Sequence, residues 1–304
     1  MLKHYRSAND YFRELFGCKV YKLALSCSDT CPNRDGTVGT GGCIFCGAEG
    51  SGEFAEICKN SSDLESAIAH AKKRVSSKTN GGSYIAYFQS FTSTYAPISR
   101  LEELFTAATE RNDIVALSVA TRPDCLSDSI MNLLKRISER KPLFVELGLQ
   151  TIHETTAKSI NRGYALNVYD TAVDRLHKIN ANIITHIILG LPGESSEMVE
   201  QTAKYVGKVT DGIKLQLMFV LKNTVLADMY YNGKYKPLTL EEYSDMLCRC
   251  IEILPPNVVI HRLTGDPPKR IMIAPEWAAD KKRVLNHISS EFERRDILQG
   301  KYFH

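Results

Sequence analysis

The sequence predicts an α/β protein built as an incomplete (β/α)6 barrel with a C-terminal helical extension. Two observations carry this prediction: short apolar runs alternate with amphipathic helical patterns, and the later runs have one apolar and one polar face. Such alternation requires a parallel sheet with right-handed crossovers. The six predicted strands cover residues 19–25, 83–88, 114–120, 143–150, 182–189 and 213–220.

The polar face distinguishes a partial barrel from an open doubly wound sheet. A doubly wound sheet is covered by helices on both sides, so both faces of its strands should be apolar. Here alternate residues along the later strands are polar or small, and these residues share one face. The polar positions are Ser118, Glu146, Gln150, His186, Lys214 and Gln216. Strands of this kind favour a barrel with a polar lumen that holds a ligand.

Helix starts are indicated by capping boxes, in which Ser or Thr precedes Glu by three residues. The candidate pairs are Ser62 with Glu65, Ser99 with Glu102, and Thr239 with Glu242. After residue 220 the alternation weakens, although 257–262 is a candidate further strand and 278–295 a candidate helix. We therefore predict an N-terminal segment at 1–18, the partial barrel at 19–255 and a basic C-terminal extension at 256–304.

Composition excludes several classes of protein. With 43% hydrophobic and 24% charged residues, the chain is neither disordered nor of low complexity. No apolar run approaches the roughly 20 residues that span a bilayer, and residues 1–10 lack the features of a signal peptide. We expect a cytoplasmic protein without membrane contact.

The net charge of +3 is too small to indicate nucleic-acid binding by itself. From residue 261 onward, however, nine Lys or Arg face six Asp or Glu. This excess is either a weak basic footprint for RNA or an ordinary solvated helix face. The aromatic residues considered for base stacking near it are Tyr231, Tyr235, Trp277 and Tyr302.

Nine cysteines in a chain of this length indicate metal or catalytic use rather than a disulfide framework. Cys31, Cys43 and Cys46 lie on one glycine-rich loop directly after the first predicted strand, where barrel active sites form. Two kinds of site fit the spacing. Three thiolates can hold a [4Fe–4S] cluster with one open iron, or Cys27 can complete a four-cysteine zinc site.

Motifs along the chain resemble radical S-adenosylmethionine (SAM) enzymes of the YtqA/YhcC type, which are related to the elongator catalytic subunit. The matching segments are 31–36 with 42–46, 121–126, 146–151, 161–163 and 190–194. One departure is Ala120, since the elongator type carries a glutamate before Thr121-Arg122-Pro123-Asp124. This departure argues against elongator chemistry.

The resemblance implies a role for each matching residue. Cys31, Cys43 and Cys46 would ligate a [4Fe–4S] cluster, and SAM would chelate its open iron. The residues implied in binding SAM are Phe45, Gln89, Arg122, Gln150 and Arg162. Among these, Phe45 would contact adenine, Gln89 the amino group, and the pair Gln150 and Arg162 the ribose and methionine parts.

The resemblance also implies the reaction and its partners. One electron from a donor such as flavodoxin or ferredoxin would cleave SAM to a 5′-deoxyadenosyl radical. Glu146, His186 and Lys214 are the candidate catalytic, substrate-side residues of the lumen, with Gln216 beside them. The expected substrate is the wobble uridine of tRNA, with a carboxymethylaminomethyl-type side chain. The alternatives are a small-molecule substrate, or a zinc-stabilised, non-catalytic RNA-binding barrel.

Overall fold

The computed structural model describes residues 4–50, 54–79 and 82–303. Within this part of the chain, strands and helices alternate as the sequence predicts. The strands are β1 (Tyr21–Ser26), β2 (Glu56–Ile57), β3 (Tyr84–Phe88), β4 (Ile114–Thr121), β5 (Leu143–Gln150), β6 (Asn182–Leu189), β7 (Gly212–Leu217), β8 (Val220–Leu221), β9 (Val259–Arg262) and β10 (Met272–Ala274). The α-helices are α1 (Ala8–Phe16), α2 (Ser61–Val75), α3 (Ile98–Glu110), α4 (Asp128–Ser138), α5 (Glu154–Ser159), α6 (Leu166–His177), α7 (Ser196–Gly207), α8 (Val225–Tyr231), α9 (Leu240–Ile253) and α10 (Lys281–Arg294).

Eight strands form one parallel sheet in the order β2-β1-β3-β4-β5-β6-β7-β9, while β8 and β10 make a separate antiparallel pair. The edge strands β2 and β9 are not joined in the described residues, so the barrel is incomplete, as predicted. The six predicted strands are β1 and β3–β7. The bounds of β5 and β6 match the prediction, whereas β7 ends three residues earlier than predicted.

The outer face of the sheet packs against the helices. Leu117, Val119 and Val145 are fully buried on this face, in the same core as Leu104 and Phe105 of α3. Burying each such side chain contributes about 1.5–3 kcal/mol, so this layer stabilises the fold. Because this core lies between the sheet and the helices, the opposite, inner face of the sheet can carry the polar residues of a site.

The inner face of the strands is arranged in layers. Ile85, Ala116, Phe144 and Ile184 meet Phe12 of α1 and form an apolar floor. Two positions further along each strand, the same face carries the polar layer, which consists of Tyr87, Ser118, Glu146 and His186. Because side chains repeat with a period of two, floor and polar layer lie one above the other. The polar lumen predicted from the sequence is thus present.

The capping predictions were right for one helix and wrong for two. Thr239 and Glu242 form a capping box at α9. In contrast, α2 is capped by Asn60, whose side chain accepts from Asp63 N, and α3 begins after Pro97 without a side-chain cap. Asn60 starts α2 two residues before the predicted cap because its amide oxygen satisfies the backbone donor of Asp63 equally well.

Both ends of the described chain pack against the barrel. The backbone of Ser7 bridges that of Ile260 in β9, and Gln299 bonds the carbonyls of Pro255 and Val258. The predicted divisions at 18/19 and 255/256 stay predictions, although β9 joins the sheet from beyond the second of them. None of the described helices combines the length and apolar character needed to cross a bilayer.

Candidate functional site

A cavity of about 270 Å³ lies at the C-terminal ends of the strands. It is lined by ten of the eleven predicted site residues, and the exception is Arg162. The ten are Cys31, Cys43, Phe45, Cys46, Gln89, Arg122, Glu146, Gln150, His186 and Lys214. Residues far apart in sequence meet here because parallel strands bring their carboxyl ends to one rim.

The cysteine loop is held in shape by Asn33. Its Nδ2 donates to the carbonyl of Asn161 at 2.5 Å and lies 3.8 Å from Cys43 Sγ, while Oδ1 has no partner among the described residues. A Cβ on Gly163 would stand 2.7 Å from Oδ1, so only glycine leaves room for this contact. Asn33 was not predicted as a site residue, although it lies inside the matching segment 31–36.

The donor set suits a cluster rather than the four-cysteine zinc site. Cys27 is buried and its Sγ donates to the carbonyl of Ser93 at 3.4 Å, outside the cavity lining. Within the described residues, no three His, Cys, Asp or Glu side chains are grouped to hold one metal ion. A cluster differs in that each thiolate binds its own iron. Burial, with Cys46 nearby, raises the pKa of the Cys43 thiol to about 12.

Polar side chains without protein partners face the same cavity. No hydrogen bond of the Gln89 or Gln150 side chains is found among the described residues, and the buried Thr92 hydroxyl is also unpartnered. Gln150 adopts a left-handed conformation with φ of 67°, at a bulge in the pairing of β5 with β6. Strain of this kind persists where the fold must aim a side chain at a ligand. These groups fit a polar ligand such as SAM.

Two arginines predicted to bind the cofactor are occupied by protein groups. Arg162 is 1% exposed, and its guanidinium donates to the carbonyls of Leu149, Thr151 and Tyr164 and to Glu154. Its observed contacts fix the backbone after β5, and its predicted contact with SAM stays a prediction. Arg122 lines the cavity but binds Asp124 through two nitrogens, at 2.9 and 2.6 Å.

Glu146 is the centre of the lumen. It is fully buried, and its carboxylate accepts from Lys22 at 2.5 Å, Tyr87 at 2.9 Å and His186 at 2.7 Å. Ser118 and Lys214 also donate to it. Although burial raises its pKa, Lys214 and Lys22 hold the pKa of Glu146 well below the usual value. Glu146 is therefore an anion that organises two cations.

His186 and Lys214 differ from their ordinary protonation behaviour. Burial and the charge of Lys214 lower the pKa of His186 to about 4, so its imidazole is neutral at pH 7. The contacts then assign Nε2–H to Glu146 and leave Nδ1 to accept from Gln216 at 3.3 Å. Burial lowers the pKa of Lys214 to about 7, against the attraction of Glu146. Lys214 can thus exchange a proton near neutral pH.

Sequence reasoning missed three lining or supporting residues besides Asn33. Lys22 and Tyr87 bind Glu146, and Arg262 ends β9 beside Lys214 in the sheet register. The period-two pattern could have identified Tyr87, which lies two residues before Gln89. The same pattern could have identified Lys22, which lies on the face opposite Leu23 and Leu25. Arg262 carried no such signal, because β9 is short and the alternation is weak there.

Four of the nine basic residues of the C-terminal region form ion pairs. Arg294 and Arg295 pair with Glu291, Lys281 with Asp266, and Lys301 with Glu252. The stacking interpretation is wrong for two aromatic residues: Tyr235 is buried, and Trp277 packs on Tyr243 and donates to the carbonyl of Leu238. Tyr235 packs in the apolar cluster beside α8 and β8, and Trp277 packs against α9. Tyr231 and Tyr302 are exposed.

Comparison with protein families matches nearly the whole described chain. Residues 26–206 match the radical SAM superfamily, and residues 210–294 match the radical SAM C-terminal domain.

Several known proteins are similar in sequence. The protein YtqA of Bacillus subtilis (strain 168) is 45% identical, over 99% of this chain and 93% of its own length. Protein YhcC of Escherichia coli (strain K12) is 33% identical, over 88% and 85% respectively. A tRNA uridine(34) acetyltransferase of Methanocaldococcus infernus is 27% identical over 54% of this chain and 31% of its own length.

A solved structure shares the fold. The Elp3 of Methanocaldococcus infernus with residues 1–46 deleted superimposes with a TM-score of 0.68 at 18% identity. The match covers 92% of this chain and 64% of that chain.

Proposed function

The chain belongs to the radical SAM superfamily, whose cofactors are a [4Fe–4S] cluster and SAM, and from this premise we propose that it is an enzyme modifying the wobble uridine of tRNA. The modified group would be a carboxymethylaminomethyl-type side chain on that uridine. The observation that carries the proposal is the single cavity shared by three cysteines, two unpaired amides and a buried polar cluster.

The proposed cofactor-binding residues divide into cluster ligands and SAM-binding residues. Cys31, Cys43 and Cys46 would hold the cluster, while Gln89 and Gln150 would hold SAM through their amides, with Phe45 against adenine. When bound, the two cofactors supply a 5′-deoxyadenosyl radical that abstracts a hydrogen atom from the substrate. The apolar floor beneath the polar layer excludes water from below.

Glu146, His186 and Lys214 are the proposed substrate-side residues. Glu146 orients both cations and the neutral imidazole, so each donor points in a fixed direction before substrate arrives. Lys214 can hold or release a proton at Nζ near neutral pH. The reductant would be a one-electron donor such as flavodoxin or ferredoxin.

Two observations support tRNA as the partner. A distant relative is named for an activity on uridine 34 of tRNA. In addition, Lys269 and Arg270 are exposed and follow Pro268, which lines a second cavity beside the first. Basic side chains at a cavity mouth suit RNA phosphates.

The test uses the reconstituted protein, SAM, dithionite and tRNA bearing a carboxymethylaminomethyl wobble uridine under anaerobic conditions. We expect loss of that nucleoside by mass spectrometry, a new nucleoside in its place, and 5′-deoxyadenosine in equal amount. Unchanged tRNA, with 5′-deoxyadenosine formed at the same rate with or without it, would contradict the tRNA assignment and favour a small-molecule substrate.

Gly163→Ala tests whether Asn33 positions the cysteine loop. Gly163 has φ of 81°, and Gly233 has φ of 70° with open space where a Cβ would stand. Both alanine variants should therefore lose about 1–2 kcal/mol of stability from the left-handed backbone. Only Gly163→Ala also displaces Asn33, so it should retain less iron after reconstitution. Equal iron in both variants would contradict a role for Asn33 in holding the loop.

A further inference from the structure

A second cavity of about 520 Å³ adjoins the first. It reaches from the lumen toward the open side of the partial barrel, past α1, α2 and β9. The two cavities share the lining residues Tyr87, Gln89, Lys214, Gln216, Phe219, Leu221 and Arg262. A ligand in the second cavity would therefore lie directly against the cofactor site. We call this second cavity the side chamber.

The side chamber carries excess positive charge. Lys22 and Lys214 share a single carboxylate, that of Glu146, which leaves one positive charge when both lysines are protonated. The other ionised groups at the wall are paired: Arg74 with Glu56, and Asp266 with Lys281. Burial, together with neighbouring charges, keeps His186 and His261 neutral. Among the described residues that line the chamber, no further acidic side chain balances the remaining charge.

Arg262 adds a second unbalanced charge. Its side chain lines both cavities, and its guanidinium makes no hydrogen bond or ion pair with any described residue. Its register partner in β7 is Lys214, so both cations stand at the junction of the cavities. The charges of Lys22 and Arg262 also help to lower the pKa of Lys214 to about 7, after burial.

We propose that the side chamber admits the substrate and that Arg262 binds a carboxylate on it. A guanidinium binds a carboxylate through two parallel hydrogen bonds, which fixes orientation as well as charge. Phe219, which is half-buried and lines both cavities with Arg262, provides a ring surface for an unsaturated substrate. This inference rests on the proposed function and deepens it, since it names the substrate group that is recognised and the residue that recognises it.

The test compares two anticodon stem-loop RNAs in the presence of SAM. One carries the carboxymethylaminomethyl group on the wobble uridine, and the other carries its neutral carboxamide. We expect the wild-type protein to bind the carboxylate RNA about 10-fold more tightly, since a hydrogen bond between two charged groups is stronger than one to a neutral amide. Arg262→Gln should abolish this preference, Arg262→Lys should restore part of it, and Lys208→Gln, an exposed position at the end of α7, should leave it unchanged.

Two outcomes would overturn the assignment. Equal weakening of both RNAs in Arg262→Gln would mean that Arg262 contacts an RNA phosphate, and an unchanged preference would mean that it does not contact the substrate. Turnover by the wild-type protein is followed in parallel, because its absence contradicts the proposed function and not the anion site.

Acetate, a small carboxylate, tests anion binding at Arg262 separately from the proposed action on tRNA. Acetate should raise the melting temperature of the wild-type protein above that in chloride at the same ionic strength, and Arg262→Gln should remove this difference. The same acetate effect in both proteins would contradict binding at Arg262, whatever the RNA experiments give.

Discussion

Replacing Cys43 with alanine is expected to remove the cluster and reduce SAM cleavage to the rate of the enzyme-free control. The thiol lines the cavity with Cys31 and Cys46, and two thiolates cannot hold three irons of the cluster. The side chain is half-buried on a loop, so the apoprotein should lose no more than about 1 kcal/mol of stability. Iron content, 5′-deoxyadenosine and chemical denaturation are measured on the same preparation.

Cys18→Ala is the matched control, because Cys18 is exposed and does not line the cavity. It should keep full iron content and full cleavage. Retention of iron and cleavage by Cys43→Ala would contradict the assignment of this loop. An unfolded Cys43→Ala protein would instead give the thiol a structural role that its partial exposure does not suggest.

Replacing Glu146 with leucine is expected to lower the free energy of unfolding by about 3–5 kcal/mol, the typical cost of leaving a buried charge uncompensated. The carboxylate is fully buried and contacts Lys22, Lys214 and His186, with Tyr87 beside them. Without it, Lys214 must lose its proton or draw water into the lumen. Urea denaturation at pH 7 measures the change.

The double variant Glu146→Leu with Lys214→Met separates charge from packing. Removing the buried cation as well should restore about 1 kcal/mol or more, since the two side chains interact directly. No restoration would mean that the loss comes from packing around residue 146 and not from the unpaired lysine.

The acid dependence of stability provides an independent check on Glu146. Its pKa in the folded protein lies well below the unfolded value of 4.5, so its contribution is fully present above about pH 4.5. The contribution is lost as pH falls through the folded pKa. The difference in stability between wild type and Glu146→Leu should therefore shrink below pH 4.5, and a constant difference would contradict the ion-pair account.

The repeating parts of the fold were predictable because they depend on local patterns. Strands β5 and β6 have the predicted bounds, since alternation continues to their last residue. The polar lumen also followed from alternation. The start of α2 did not, because Asn60 and Ser62 are both acceptable caps and only the tertiary path of the chain selects between them.

The sequence predicted which residues line the cavity better than it predicted what each of them contacts. The cysteine loop and Gln150 meet as expected, because both lie at carboxyl ends of strands. Arg162 was expected to face the ligand, yet its guanidinium binds backbone carbonyls and stacks on Tyr164, with 4.5 Å from Cζ to the ring centre. Sequence position cannot distinguish an arginine that points into a cavity from one that binds the backbone around it. The same limit concealed Arg262.

The most direct test of the account is made on the wild-type protein. After anaerobic reconstitution with iron and sulfide, the protein is reduced with dithionite and given SAM, and iron, zinc and 5′-deoxyadenosine are quantified together. We expect about four irons per chain, no zinc and steady formation of 5′-deoxyadenosine. One zinc per chain with no cleavage of SAM would contradict this expectation.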